Sequence, residues 1–374
     1  MRIHLSLKGQ ILTMKKVILF LNLLPILTLF AQAPKYSNEF LHLGVGAQAF
    51  SMGNAVVASS EDLSASYWNP AGLVSAKDWL QVSAMHSEYF AGIAKYDYIG
   101  LSHSLGSKGV LGFTFLRFGV DDIPNTTQLI DNDGRINYDN ITTFTAGDYA
   151  FIGSFAKPLK IEGLSVGGSV KIIHRRVGDF AKSWGFGLDA GLKYKRNEHW
   201  KFGLVARDLT STFNAWIFNL SQDMQQVFIS TGNELPTNGL ELSLPRFIAG
   251  AAYSHSIGSA EKGFSFSTEI DIDATTDGRR NVLVSGNPVS LDPHIGLQGM
   301  YKSLISLRLG VSSIQQFTAI DGSKSWGMQP NLGLGIGLKG VALDYAFTRL
   351  GAAEAGYYTH IFSLKIKLTN PPSK

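Results

Sequence analysis

Eight histidines beyond residue 33 (His42, His86, His103, His174, His199, His255, His294 and His360) are the side chains best suited to bind a metal or move a proton. They are scattered, and none falls at the spacing of a zinc-ligand pair. The chain has no cysteine, which removes thiolate ligands, a thiol nucleophile, disulfides and a lipidated N-terminal cysteine. Asp131-Asn132-Asp133-Gly134 has the opening of a calcium loop, but no glutamate completes it at the required spacing. It reads as a tight turn, since Asn, Asp and Gly supply turn conformations cheaply. Gly44-x-Gly46-x-x-Ala49 partly fits a dinucleotide fingerprint, with Glu61 and Asp62 near the acidic position, yet the βαβ unit that gives such a motif meaning does not follow. A barrel can bring Ser and His together from distant strands, but nothing here marks a nucleophile and its base. The expectation is therefore a non-enzyme with no catalytic, cofactor-binding or metal-binding residues and no cofactor.

Other charged residues sit at alternate positions among apolar ones: Lys171, Arg175, Asp189, Lys193, Arg246, Glu269, Asp271, Arg308 and Asp344. Their mixed signs suit paired charges inside a filled lumen better than a selective pore, which concentrates one sign at a constriction. The elements that must hold them are strands. From Trp184 to Lys195, Trp184, Phe186, Leu188, Ala190, Leu192 and Tyr194 share one face, and Gly185, Gly187, Asp189, Gly191, Lys193 and Lys195 share the other. The same division recurs at Leu332, Leu334, Ile336 and Leu338, and again at Phe264, Phe266, Ile270 and Ile272. One face suits lipid and the other water.

Candidate strands fall near residues 79–89, 95–105, 109–120, 143–157, 163–176, 181–196, 199–209, 245–257, 263–273, 291–301, 304–314, 328–339, 340–348 and 357–368. That is about 14 strands, an even number suited to closure. Periodicity alone does not separate such a chain from a soluble sandwich, but the connections do. Short ones (106–108, 195–199, 301–304, 338–340) alternate with long ones (121–142, 209–244, 274–290, 314–326). Sorting short turns to one end and long loops to the other is the habit of a transmembrane barrel. Tyr194, Trp200, Tyr253, Tyr301, Tyr357 and Tyr358 lie near strand ends, where amphipathic rings can occupy the membrane interfaces. The expected fold is all-β: a transmembrane antiparallel barrel occupying residues 79–368, with a tail at 369–374.

Met14-Lys15-Lys16, the apolar run VILFLNLLPILTLF and Ala31-Gln32-Ala33 have the three parts of a secretory signal, so residues 1–33 are expected to be removed. Met14 is a candidate start, because Met1 to Thr13 adds nothing a signal needs. The 33 basic residues include Arg2, Lys8, Lys15 and Lys16, so the mature chain balances 29 basic against 29 acidic residues. This balance leaves no basic face for a nucleic-acid partner; outer-membrane lipid is the expected surroundings.

Between signal and barrel, residues 34–78 are expected to form a plug in the lumen. Leu43 to Leu73 is rich in Gly, Ala and Ser, which lets backbone lie close against surrounding walls, and Asn69-Pro70 ends any helix. Gly46-Ala47, Ser51-Met52-Gly53, Asp62 and Asn69-Pro70-Ala71-Gly72 resemble the N-terminal region of the PorV/PorQ family, FadL-like outer-membrane barrels associated with the type IX secretion system. The Asn-Pro-Ala element is shared more widely with FadL-type transporters of hydrophobic compounds. Asn214-Ala215-Trp216, Gly232-Asn233-Glu234-Leu235-Pro236 and the His360-x-Phe362-Ser363-Leu364 strand resemble PorV/PorQ proteins as well, although the chain ends in Thr369-Asn-Pro-Pro-Ser-Lys374 rather than in a terminal aromatic.

The 208–244 loop carries too many apolar residues for a solvated connection, and implies a folded cap or docking surface. The resemblance implies a secretion component that binds or shuttles cargo proteins, with other type IX components as partners. Phe213, Trp216 and Phe218 of the outer loop would then contact cargo, and Gly46, Ser51, Met52, Gly53, Asn69 and Pro70 would form the plug. The alternative is a FadL-like transporter of apolar small molecules, in which the plug shifts to let the molecule through. A third reading is a purely structural barrel.

Overall fold

The computed structural model describes residues 37–130, 133–258, 263–319, 321–349 and 358–369. The signal sequence, Asp131, Asn132, Tyr357 and the last five residues, 370–374, lie outside them. Sixteen strands join one antiparallel sheet: β1 (Leu80–Tyr89), β2 (Ala94–Ser104), β3 (Val110–Asn125), β4 (Thr142–Pro158), β5 (Leu164–Val177), β6 (Ala181–Lys195), β7 (Trp200–Arg207), β8 (Thr212–Phe218), β9 (Gly239–Ser243), β10 (Arg246–Ile257), β11 (Phe264–Thr275), β12 (Ser290–Tyr301), β13 (Ile305–Thr318), β14 (Lys324–Leu338), β15 (Val341–Arg349) and β16 (Tyr358–Leu368). Fourteen of them close on themselves, with β1 pairing β16 and β5 pairing β6; β8 and β9 form a hairpin added to the loop-side half of β6, above the point where β7 leaves it.

Closure leaves no unpaired edge in the fourteen-strand circuit, which backbone in lipid requires; the edge that remains is β9 of the added hairpin, at the long-loop end. Along each strand, alternate residues point out or in. Leu101, Phe113, Phe186, Ile270, Leu334 and Phe362 are among the exposed apolar side chains of the outer face, while Lys171, Lys193, Glu269, Asp271, Arg308 and Asp344 are buried inside. Apolar outside and polar inside make this a membrane-spanning barrel. Tyr194, Trp200 and Tyr301 are exposed at the short-turn end, where Trp200 packs on Tyr253 at 5.0 Å.

Two differences from the period-two reading have physical causes. β3 runs on to Asn125 and β13 to Thr318, beyond the expected ends at 120 and 314. Register shifts interrupt the pairing between Val120 and Ile123 and between Ser312 and Gln315, with Asp122 and Ser313 in the left-handed region at φ 57° and 51°. An inserted residue flips the alternation, so the strand continues out of phase. The sorting of loops is also less complete than expected. Residues 90–93 and 178–180 are short connections at the same end as the long loops, the first turned tightly by Phe90, Ala91 and Gly92, all at positive φ.

Residues 37–78 lie within the strand wall and form the interior core. Phe40, Val45, Phe50, Met52, Tyr67 and Trp68 cluster with Met85, Tyr96, Leu116, Ile152 and Ile361 of the wall.

Candidate functional site

The interior divides into two regions. In the first, the chain's own N-terminal segment occupies the lumen. Glycines on the inner face form its seat: a methyl group at Gly310 would fall on the Met52–Gly53 peptide, at Gly296 on Met52, at Gly333 on Ser51, at Gly167 on the Pro70–Ala71 peptide and at Gly191 on Asn69. Gly53 itself takes φ 64° and lies against the Val311 backbone, a position where a side chain would be both strained and obstructed.

Hydrogen bonds fix the segment in place. Asp271 Oδ2 accepts from the Val56 and Val57 amides at 2.8 and 2.9 Å, and Glu269 Oε1 from Ala58 and Ser59 at 2.6 and 3.3 Å. The Gly46 amide donates to Met85 Sδ at 3.0 Å, and Ser51 Oγ donates to the Gln48 carbonyl at 2.7 Å. Asn69 Nδ2 donates to the carbonyls of Val57 and Leu192, while its Oδ1 accepts from Ala71 N. Of the six residues named for a plug, Gly46, Ser51, Met52 and Gly53 lie against β1 and β12 to β14, and Asn69 and Pro70 against β5 and β6.

Seven of the nine inward charges named from the sequence are in ion pairs; the other two, Glu269 and Asp271, bind main-chain amides instead of cations. Lys171 Nζ lies 2.8 Å from Asp189 and 2.5 Å from Asp208; Arg308 lies 2.7 Å from Asp344; Lys193 lies 3.1 Å and Lys201 2.7 Å from Glu61; Lys365 lies 2.7 Å from Asp62; Arg246 binds Asp273 through two nitrogens. Burial in low dielectric makes such pairing obligatory. Two of the partners, Asp62 and Glu61, belong to the N-terminal segment, so charge as well as shape ties it to the wall.

The second region is an apolar cavity of about 680 Å³ at the long-loop end. Pro124 and Asn125 at the end of β3, Thr126 and Thr127 just beyond it, Phe144 of β4, and Val177, Phe180 and Ala181 around the β5–β6 turn make one side. Trp216 and Phe218 of β8, Met224 and Phe228 of a helix, and Leu240 and Glu241 of β9 make the other. The helix, Gln222–Ser230, starts where Ser221 Oγ accepts from the Met224 amide. Its spacing of Met224, Val227 and Phe228 gathers apolar side chains on one face, and Met224 and Phe228 of that face line the cavity.

The three aromatics of the outer loop do not act as one group. Trp216 and Phe218, two residues apart on β8, turn inward and stack at 6.2 Å between centroids. Phe213 has the opposite parity: it is 41% exposed on the outer face, beside Phe186 at 6.5 Å. Sequence reasoning placed all three on one surface because it treated the segment as a loop; as a strand, alternation separates them. It also missed Phe144, Phe180 and Glu241, which come from distant strands and turns. An apolar Phe180 in a three-residue turn was the available signal.

Among the described residues, Glu241 is the sole charged one lining the cavity. Its Oε2 accepts from Arg175 at 3.3 Å and from Ser37 Oγ at 3.2 Å. Arg175 also makes a two-point bond to Asp148, at 2.7 and 3.3 Å, and its guanidinium lies 5.1 Å from the Trp216 ring centroid. One cation thus binds two carboxylates, of which Glu241 lines the cavity.

No protein-family model matches this sequence, and no curated protein matches it either. In structure it is similar to the CymD monoaromatic hydrocarbon channel, at 12% identity over 87% of this chain and 98% of that one with a TM-score of 0.52. It is similar also to a Pseudomonas aeruginosa FadL homologue, at 11% identity over 86% and 97% with a TM-score of 0.52. What is shared at such identity is architecture, and the chain has the FadL-like fold of Gram-negative outer-membrane barrels.

Proposed function

We propose that this barrel admits small apolar molecules through the outer membrane, receiving them in the cavity at the long-loop end, with the N-terminal segment as the seal that must shift for passage. The observation that carries this reading is the cavity itself: about 680 Å³ walled by Phe144, Phe180, Trp216, Phe218, Met224 and Phe228. Small-molecule sites have volumes of roughly 300–1,000 Å³, mostly apolar walls and few polar groups. The CymD channel, whose fold the chain shares, is a monoaromatic hydrocarbon channel, which supports the same reading.

The secretion reading asks the outer-loop aromatics to meet a cargo protein. Trp216 and Phe218 turn inward onto the cavity, and the outer face of β8 carries Phe213, Ala215 and Ile217 in line with the lipid-facing belt. A strain carrying Trp216→Ala and Phe218→Ala separates the two. Truncating aromatics that line a site commonly costs about 2 kcal/mol, roughly thirtyfold in affinity. The expected outcome is reduced uptake of an aromatic hydrocarbon with protein secretion and surface attachment unchanged; lost secretion with unchanged uptake would overturn the proposal.

A further inference from the structure

We propose that the cavity selects uncharged apolar molecules that carry a hydroxyl group, and rejects carboxylates and amines of the same skeleton. The inference rests on the cavity being a small-molecule site and adds the chemistry of the head group. Two polar atoms at its wall have no partner among the described residues. The Trp216 Nε1 hydrogen is buried without an acceptor, and Glu241, whose side chain is 29% exposed, uses Oε2 for both Arg175 and Ser37, which leaves Oε1 open to a donor. The buried N–H thus needs an acceptor, and the carboxylate beside it can take a donor.

Each candidate head group can be weighed against them. A carboxylate would meet Glu241, whose cation, Arg175, is already shared with Asp148, and no cation is among the described residues that line the cavity. Burying an unpaired charge is far costlier than burying a neutral polar group. An ammonium would suit Glu241 but has no lone pair for the Trp216 N–H. A hydroxyl has both: it donates to Glu241 Oε1 and accepts from Trp216 Nε1. An unsubstituted hydrocarbon satisfies the walls and leaves both polar atoms as they are.

Naphthalene, naphthol, naphthoate and naphthylmethylamine provide the test, titrated onto the full chain in lipid nanodiscs at neutral pH, with empty nanodiscs giving the partition correction. One hydrogen bond to a charged group and one to a neutral one should favour naphthol over naphthalene by about tenfold or more. The same ratio should fall toward one in Glu241→Leu and in Trp216→Phe, which keeps the ring and removes only the N–H, with retained β-sheet circular dichroism showing that the barrel is folded. Equal binding of naphthol and naphthalene to the unmodified chain, or tightest binding of naphthoate or the amine, would overturn the head-group inference and leave the apolar site standing. Absence of binding by all four would overturn the site as well.

Discussion

The lumen around residues 44–73 and the cavity beneath the 222–230 helix are enclosed by one wall, yet they are finished in opposite ways. In the lumen, inward glycines admit backbone, and buried carboxylates such as Asp271 bind main-chain amides directly. In the cavity, inward positions are mostly aromatic or aliphatic, and no part of the described chain fills the space between them. A seat for a fixed partner is cut to one backbone, with glycines wherever a side chain would collide. A surface built to exchange its contents leaves walls that tolerate many shapes. The difference teaches where to look for traffic in a barrel of this kind: in the region whose walls are not cut to one occupant.

The largest effect should come from removing the filled half. The intact protein is expected to conduct poorly in planar bilayers, and deletion of residues 43–73 to produce large steady currents, since the seat left behind is lined by Gly167, Gly191, Gly296, Gly310 and Gly333. Large currents from the intact chain would break the comparison. Next in size is Lys171→Met, which leaves Asp189 and Asp208 buried without their cation. Breaking a buried pair in this way costs roughly 3–5 kcal/mol, to be read as a lower urea midpoint for unfolding from lipid vesicles. The smallest is Phe228→Ala in the cavity lid. It removes a side chain outside the closed barrel and should shift the same midpoint by less than about 0.5 kcal/mol. A large loss there would mean that the lid is part of the barrel's structural core, and would erase the distinction between the two regions.

Much of this was legible in the sequence, for reasons visible in single strands. In β6, Trp184, Phe186, Leu192 and Tyr194 are exposed while Gly185, Gly187, Gly191 and Lys193 are buried, as the alternation from Trp184 to Lys195 demands. Strand periodicity is a local property and survives being read without a structure. It failed where the backbone inserts a residue, at Asp122 and Ser313, because a bulge reverses parity without changing composition. It failed also at the β8–β9 hairpin. Its pairing partner, Ala181 to Phe186, lies about thirty residues earlier in β6, and nothing inside the segment names that partner. The cavity was the least legible feature, since Pro124, Phe144, Phe180 and Glu241 meet only when separate strands and turns converge.

The N-terminal segment also touches both sides of the junction where the barrel's first and last strands meet. Leu63 N donates to Gln81 of β1 at 3.1 Å, while the Ala47 amide reaches Ser363 of β16 at 2.8 Å and Asp62 reaches Lys365 of the same strand. The two contacts to β16 join residues more than three hundred positions apart, an early part of the described chain to its last strand. Loop-closure entropy grows only as the logarithm of such a separation, but the contacts cannot form until the last strand has been made. The segment's contacts with β5, β6 and β11 to β14 need no such wait, so its bonds to β16 are the last that can form. The insert thereby acts as a clasp across the seam, reinforcing from inside the one strand pair that joins the two ends of the sheet.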